Sequence, residues 1–165
     1  VSGEFQGPHY LREIIDPETP VIFVDVQGGV DAGKTRPEEA EIACDIVRAL
    51  VQSMVTPGEI GVITPYRAQQ SMIRQRLTNV KGRSEISVDT VDSFQGGERE
   101  VIIISLARSD SVTSFLADPK RLNVSLSRAR SKLILLGRSS VLEENPLFNS
   151  ILDGIKKVVV EKQVT

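Results

Sequence analysis

Five short β-branched runs recur along the 165-residue chain: VIFVDV (21–26), IGVITP (60–65), ISVDTV (86–91), VIIIS (101–105) and LILLG (133–137). Several are apolar throughout, as strands buried on both faces read. Segments of helical period lie between them. In 38–54, Ala43, Val47, Leu50 and Met54 fall on one face and Glu41, Asp45, Arg48 and Gln52 on another. Further helices are expected over 68–77, over 121–130, and after ENP, where Asn145 can cap and Pro146 open the first turn. Strands alternating with helices imply an α/β fold, a mainly parallel sheet of at least five strands joined by right-handed crossovers. Residues 1–20, with Pro8, Pro17 and Pro20, read as a linker or the severed edge of a larger protein, and 21–165 as one domain. In such folds ligands gather beyond the carboxyl ends of strands, which directs attention to the loops after Asp25, Thr64, Val91, Ser105 and Gly137.

Composition narrows the classes further. Apolar residues make up 40% and charged residues 25%, ordinary values for a globular domain. No apolar stretch approaches the ~18 residues of a membrane helix, so no membrane partner is expected. The single cysteine, Cys44, leaves no internal disulfide and sits in a helical pattern that reads as packing. A reducing, intracellular compartment, cytoplasmic or nuclear, fits. The net charge of −2 carries no polyanion signal, but arginines and lysines gather between 99 and 138, so a polyanion would be met by a local face. Trp is absent and aromatics are 4%, too few for a base-stacking platform.

GGVDAGKT (28–35) matches the phosphate-loop pattern G-x-x-x-x-G-K-[ST]. A working loop of that kind starts its helix within the G-K-T, yet Pro37 stands two residues beyond Thr35 and pushes Arg36 away from helical angles. The helix should begin near Pro37, with Thr35 or Arg36 as cap and Glu38 as capping-box carboxylate. Glu38 and Glu39 would repel a triphosphate there. VIIISLARSD also ends in Ser105, with no carboxylate at the strand tip to hold a metal ion, and no metal ligands are assigned.

Three later stretches carry more chemistry: GVITPYRAQ (61–69), VDTVDSFQGGERE (88–100) and RLNVSLSRAR (121–130). Gly96 and Gly97 permit close approach of a ligand, and Glu98 could accept hydrogen bonds from a ribose; a Gly-Gly turn beside a solvated glutamate is the plainer alternative. Arg121, Ser125 and Arg128, spaced i, i+4, i+7, would share one helix face. Their planar guanidinium forks suit phosphate oxygens, although a surface arginine stripe is often only solvated.

Together the three stretches resemble motifs IV, V and VI of superfamily 1B helicases, the group of the up-frameshift RNA helicase, senataxin and the immunoglobulin mu-binding helicase. VITPYRAQ is similar to the family's PYxxQ, VDTVDSFQGGERE to VDxFQGxE, and RLNVSLSRAR to RLNVAxTRAR. The likeness covers about residues 21 to 155. It implies the second, C-terminal RecA-like domain, a three-layer sandwich. In that family ATP lies between two such domains, and the first holds the phosphate loop and the carboxylates for Mg²⁺. By the resemblance, Arg128 matches the arginine finger at the γ-phosphate, Glu98 the residue holding the ribose, and Gly96 the glycine beside it. Arg121 is expected to support the same helix or reach phosphate indirectly. Gln70 stands where some members carry a γ-phosphate arginine, with Arg67 and Arg74 as nearby substitutes. Gly97 stands where arginine is frequent. Pro65, Tyr66, Thr90 and Asp92 fall in stretches that face single-stranded RNA or DNA. The implied activity is that of an ATP-dependent helicase of 5′-to-3′ polarity, with this fragment inactive by itself; the alternatives are a RecA-like interaction module without turnover and a self-contained NTPase that uses 28–35 as its phosphate loop.

Overall fold

The computed structural model describes residues 7–28, 35–94, 97–107 and 118–162, excepting the side chains of Arg121, Leu122 and Leu147. In β1 (Val21–Gln27), Ile22, Val24 and Val26 enter one buried cluster and Phe23 another. The same division runs through β2 (Ile60–Thr64) and β4 (Arg99–Ser105), where Val62 and Ile103 face one side and Ile63, Ile102 and Ile104 the other. Successive strand side chains point to opposite faces, so a strand covered on both must be apolar throughout. Each isoleucine so buried contributes about 1.5–3 kcal/mol relative to exposure.

With β3 (Ser87–Thr90), β5 (Ala129–Gly137) and β6 (Lys156–Glu161), these strands form one six-stranded sheet in the order β3-β2-β4-β5-β1-β6. Every pairing is parallel. One face is covered by α1 (His9–Ile14), α2 (Pro37–Gln52) and α3 (Arg67–Arg76), through residues such as Ile14, Ile46 and Ile73. The other carries α5 (Ser139–Leu142) and α6 (Pro146–Leu152), with Leu126 from the end of α4 (Pro119–Leu126). The fold is the α/β three-layer arrangement expected, with six strands. Asn145 and Pro146 also behave as read: the Phe148 amide donates to Asn145 Oδ1 at 3.3 Å, and Pro146 opens α6. Cys44 is buried in α2, where desolvation pushes its thiol up to about 12.

Two helix ends are corrected, and two elements add to the reading. Within the stretch read as a linker, residues 9–14 form α1, because Leu11 and Ile14 find a place in the main core. The helix read over 38–54 stops at Gln52, and Met54 lies at φ 72° with 69% of its surface exposed, off the packing stripe. The helix read over 121–130 ends at Leu126. Arg128 lies in the turn before β5, because pairing of Ala129 with Arg99 draws the chain into the sheet. Arg128 therefore does not share a helix face with Ser125 and Arg121. Finally β6 adds a strand at the sheet's border, its Lys156, Lys157 and Glu161 giving the charged flanks by which edge strands resist further pairing.

Candidate functional site

A parallel sheet has two ends, and the candidate residues divide between them. At the carboxyl end, β2 hands over to α3 through Pro65 and Tyr66, both half-buried, with Tyr66 as the N-terminal residue capping α3. The Val91 amide donates to Thr64 O at 3.1 Å, which seats the exit of β3 beside that of β2. Pro65 and Tyr66 are thereby brought together with Thr90 and the exposed Asp92. Beyond Thr90 the chain turns sharply, with the Phe94 amide on Thr90 O at 2.9 Å and the Thr90 and Ser93 hydroxyls 2.7 Å apart. Arg67 is exposed at the start of α3, and Gln70 is turned sideways, its Nε2 donating to Val88 O at 2.9 Å. Arg74 Nη2 donates to the same carbonyl at 2.8 Å and pairs with Asp89 at 3.7 Å.

Beneath this end lies a buried polar network absent from the sequence reading. Arg36, 1% exposed, donates from Nη1 to Glu39 Oε2 at 2.9 Å and from Nη2 to the carbonyls of Val26 and Gly28 at 3.0 and 3.2 Å. Gln69 clamps the Arg36 backbone from both sides, accepting its amide at 2.8 Å and donating to its carbonyl at 3.0 Å. Glu39 Oε1 accepts from Ser105 Oγ at 2.8 Å and from the Ala107 amide at 3.0 Å. Complete burial pushes the Glu39 carboxyl up, against the pull of Arg36 and those donors. The network ties the ends of β1 and β4 and the first turn of α3 to the first turn of α2. The glutamine of the PYxxQ stretch was its one legible member.

This geometry also bears on GGVDAGKT. Residues 29–34 lie outside the described residues, but α2 does begin at Pro37, with Arg36 as N-cap and Glu38 and Glu39 buried in its first turn. The capping box expected of Glu38 does not form. The Arg36 amide is taken by Gln69, and Glu38 Oε1 has no hydrogen-bond partner. Among the described residues, no group of three or more His, Cys, Asp or Glu side chains could hold a metal ion.

Glu98 and Arg128 occupy the opposite end, before β4 and β5. This departs from the expectation that the informative loops follow the strands. The Arg99 amide donates to Arg128 O at 2.9 Å, so the two candidates flank one backbone bond. Glu98 is exposed and Arg128 half-buried, and the Arg128 guanidinium makes no hydrogen bond or ion pair among the described residues. Arg99 braces the approach. Its guanidinium donates to Glu98 O at 2.9 Å and Ser87 Oγ at 3.1 Å, and lies 5.3 Å from the centre of the Phe94 ring. Gly97 has φ 75°, a backbone a side chain would strain. Gly96 lies outside the described residues, as does the Arg121 side chain. Arg67 and Gln70, grouped with Glu98 and Arg128 from sequence, are separated from them by the length of β2, about 16 Å at roughly 3.3 Å per residue. Sequence reasoning also passed over Glu59 and Glu100, which hold Arg130 beside Arg128.

An all-parallel sheet between two helical layers is a RecA-like fold. Comparison with known proteins places it further: a profile of the AAA domain family matches residues 4–140. Regulator of nonsense transcripts 1 of Dictyostelium discoideum is 38% identical over 88% of this chain and 12% of its own length. An uncharacterised ATP-dependent helicase of Methanocaldococcus jannaschii is 39% identical over 91% of this chain and 22% of its own. A DNA replication ATP-dependent helicase/nuclease of Arabidopsis thaliana is 33% identical over 90% and 12%. The chain thus spans 12 to 22% of these relatives. The C-terminal domain of a possible DNA helicase from Lactobacillus plantarum WCFS1 shares the fold, with TM-score 0.58 at 15% identity over 91% of this chain and 92% of that one. The chain belongs to the AAA domain family, as a C-terminal RecA-like domain of the superfamily 1B helicase type.

Proposed function

We propose that this chain is the second motor domain of an ATP-dependent nucleic-acid helicase or translocase, moving 5′ to 3′ and acting inside the cell on single-stranded RNA or DNA. Its partner is a first RecA-like domain in the same polypeptide, which would hold Mg²⁺ and the phosphates of ATP. Arg128 lends a guanidinium to the γ-phosphate, where charge spreads over the phosphoryl oxygens in the transition state. Such a group accelerates hydrolysis by roughly 10³–10⁵. Glu98 accepts from the ribose, with Gly96 allowing close approach and Arg121 supporting its helix or reaching phosphate indirectly. At the far end of the sheet, Pro65, Tyr66, Thr90 and Asp92 face the strand, where backbone amides and a hydroxyl grip phosphates without reading bases. Arg67 and Gln70, the residues proposed in place of a γ-phosphate arginine, stand at that end of the sheet. Closing and opening of the cleft with each ATP would alternate the grip and give stepping.

The observation that carries this reading is Arg128 in the turn before β5, its carbonyl bonded to the Arg99 amide next to the exposed Glu98, with a guanidinium that makes no hydrogen bond or ion pair among the described residues. The test is ATP hydrolysis by the full-length polypeptide. Arg128→Ala is expected to reduce turnover by roughly 10³-fold or more while nucleotide binding persists. Unchanged turnover would discard the assignment.

A further inference from the structure

The start of β5 is irregular. Arg99 pairs with Ala129, but Val101 pairs with Lys132, so Arg130 and Ser131 stand together opposite Glu100 alone. Such a bulge bends its strand and re-aims the side chains beside it. Glu100 holds both residues of the bulge: Oε2 accepts from Arg130 Nε at 3.3 Å, and Oε1 accepts from Ser131 Oγ. Glu59, in the short 3-10 turn Pro57–Glu59 before β2, completes the clamp. Its Oε2 accepts from Arg130 Nη2 and, at 3.2 Å, from the Glu100 amide. The Ser131 hydroxyl, and after it Arg130, hold the Glu100 carboxyl below the usual carboxylate range against slight desolvation. The Glu59, Glu100 and Arg130 side chains keep 42 to 44% of their surface exposed. Exposed ion pairs contribute little to stability, so stability alone is a poor account of why these groups converge on one bulge.

We propose that Glu100, with Glu59 and Arg130, is a positioning residue for Arg128: the clamp holds the bulge, and the bulge sets where the Arg128 guanidinium stands. This rests on the reading of Arg128 as the arginine lent to a triphosphate and goes beyond it. Two residues apart, the arginines have different work. Arg130 is tied to two carboxylates, and the Arg128 backbone is pinned by the Arg99 amide at 2.9 Å while its side chain stays unengaged among the described residues. A guanidinium that acts on transition-state charge must meet the phosphoryl oxygens in place, and a displacement of about 1 Å costs on the order of 10²-fold in rate.

The test uses the full-length polypeptide with Glu100→Ala, Arg128→Ala and the two combined. It reads kcat and KM for ATP, and the affinities for ADP alone and for ADP with aluminium fluoride. Glu100→Ala is expected to lower kcat about 10- to 100-fold and to weaken the fluoride complex, with KM and ADP affinity kept within about two-fold. In the Arg128→Ala background Glu100→Ala should change nothing further, because residues acting as a unit are not additive. Glu100→Gln, which keeps an acceptor for Ser131, should restore part of the rate. If Glu100→Ala does not fold, Glu59→Gln carries the same comparison. An equal loss in both backgrounds overturns the proposal, as does wild-type turnover in Glu100→Ala while Arg128→Ala is inactive; the second result leaves the arginine reading standing. Wild-type turnover in Arg128→Ala overturns both.

Discussion

Arg36 keeps 1% of its surface, and every direction its guanidinium faces holds an acceptor: Glu39 and the carbonyls of Val26 and Gly28. A charge can be buried only when it is matched this closely, and removing one partner strands the other. Arg36→Met should therefore lower the unfolding free energy of the 1–165 chain by about 3–5 kcal/mol, read from the urea midpoint. At Arg128 the same chemistry is left open. Arg128→Lys keeps the charge but loses the planar fork, so turnover of the full-length polypeptide should remain roughly 10²-fold below wild type. Both arginines are plain letters in the sequence, and only their surroundings separate a structural one from a catalytic candidate. The motif resemblance singled out Arg128. The sequence offered Arg36 only as a helix cap, and its partner Gln69 lies 33 positions away.

Elements were legible to the degree that one local rule governed them. β1, β2 and β4 are apolar runs buried on both faces, and α6 carries its own cap and proline, so their residues announce them. Boundaries set by competition were not legible. RLNVSLSRAR continues a helical period through Arg130, yet the chain leaves the helix after Leu126 because β4 offers a pairing partner to Ala129. At the end of α2 the chain turns through Met54 at φ 72°, a backbone costly to any side chain with a Cβ. Met54→Gly should raise stability by about 0.5–1 kcal/mol, since the exposed side chain gives up no packing. A lowered thermal midpoint would show that Met54 does pack.

Across the whole molecule, Lys132 joins the segment before β1 to the middle of the sheet. Its Nζ donates to the carbonyls of Asp16 and Thr19, from a side chain only 4% exposed. Desolvation lowers its pKa from 10.5 to about 8, with Asp16 opposing and Lys156 assisting. Between pH 8 and 10.5 the folded amine has lost its proton and the unfolded one keeps it, so the unfolded state binds more protons there. Stability should rise with pH through that window and lie flat just below it; Lys132→Met should abolish the rise, seen as the difference between the two thermal midpoint profiles. The sequence by itself determined the class of fold and the three motif stretches, because apolar period and spacing are local and survive without coordinates. The tertiary structure alone decided that Glu98 and Arg128 stand at one end of the sheet and Pro65, Tyr66 and Thr90 at the other. It also decided that Arg36 is sealed in while Arg130 is clamped by Glu59 and Glu100. Those outcomes depend on which strands pair, in what register, and on how far each charge is removed from water, and none of these is a property of neighbouring residues.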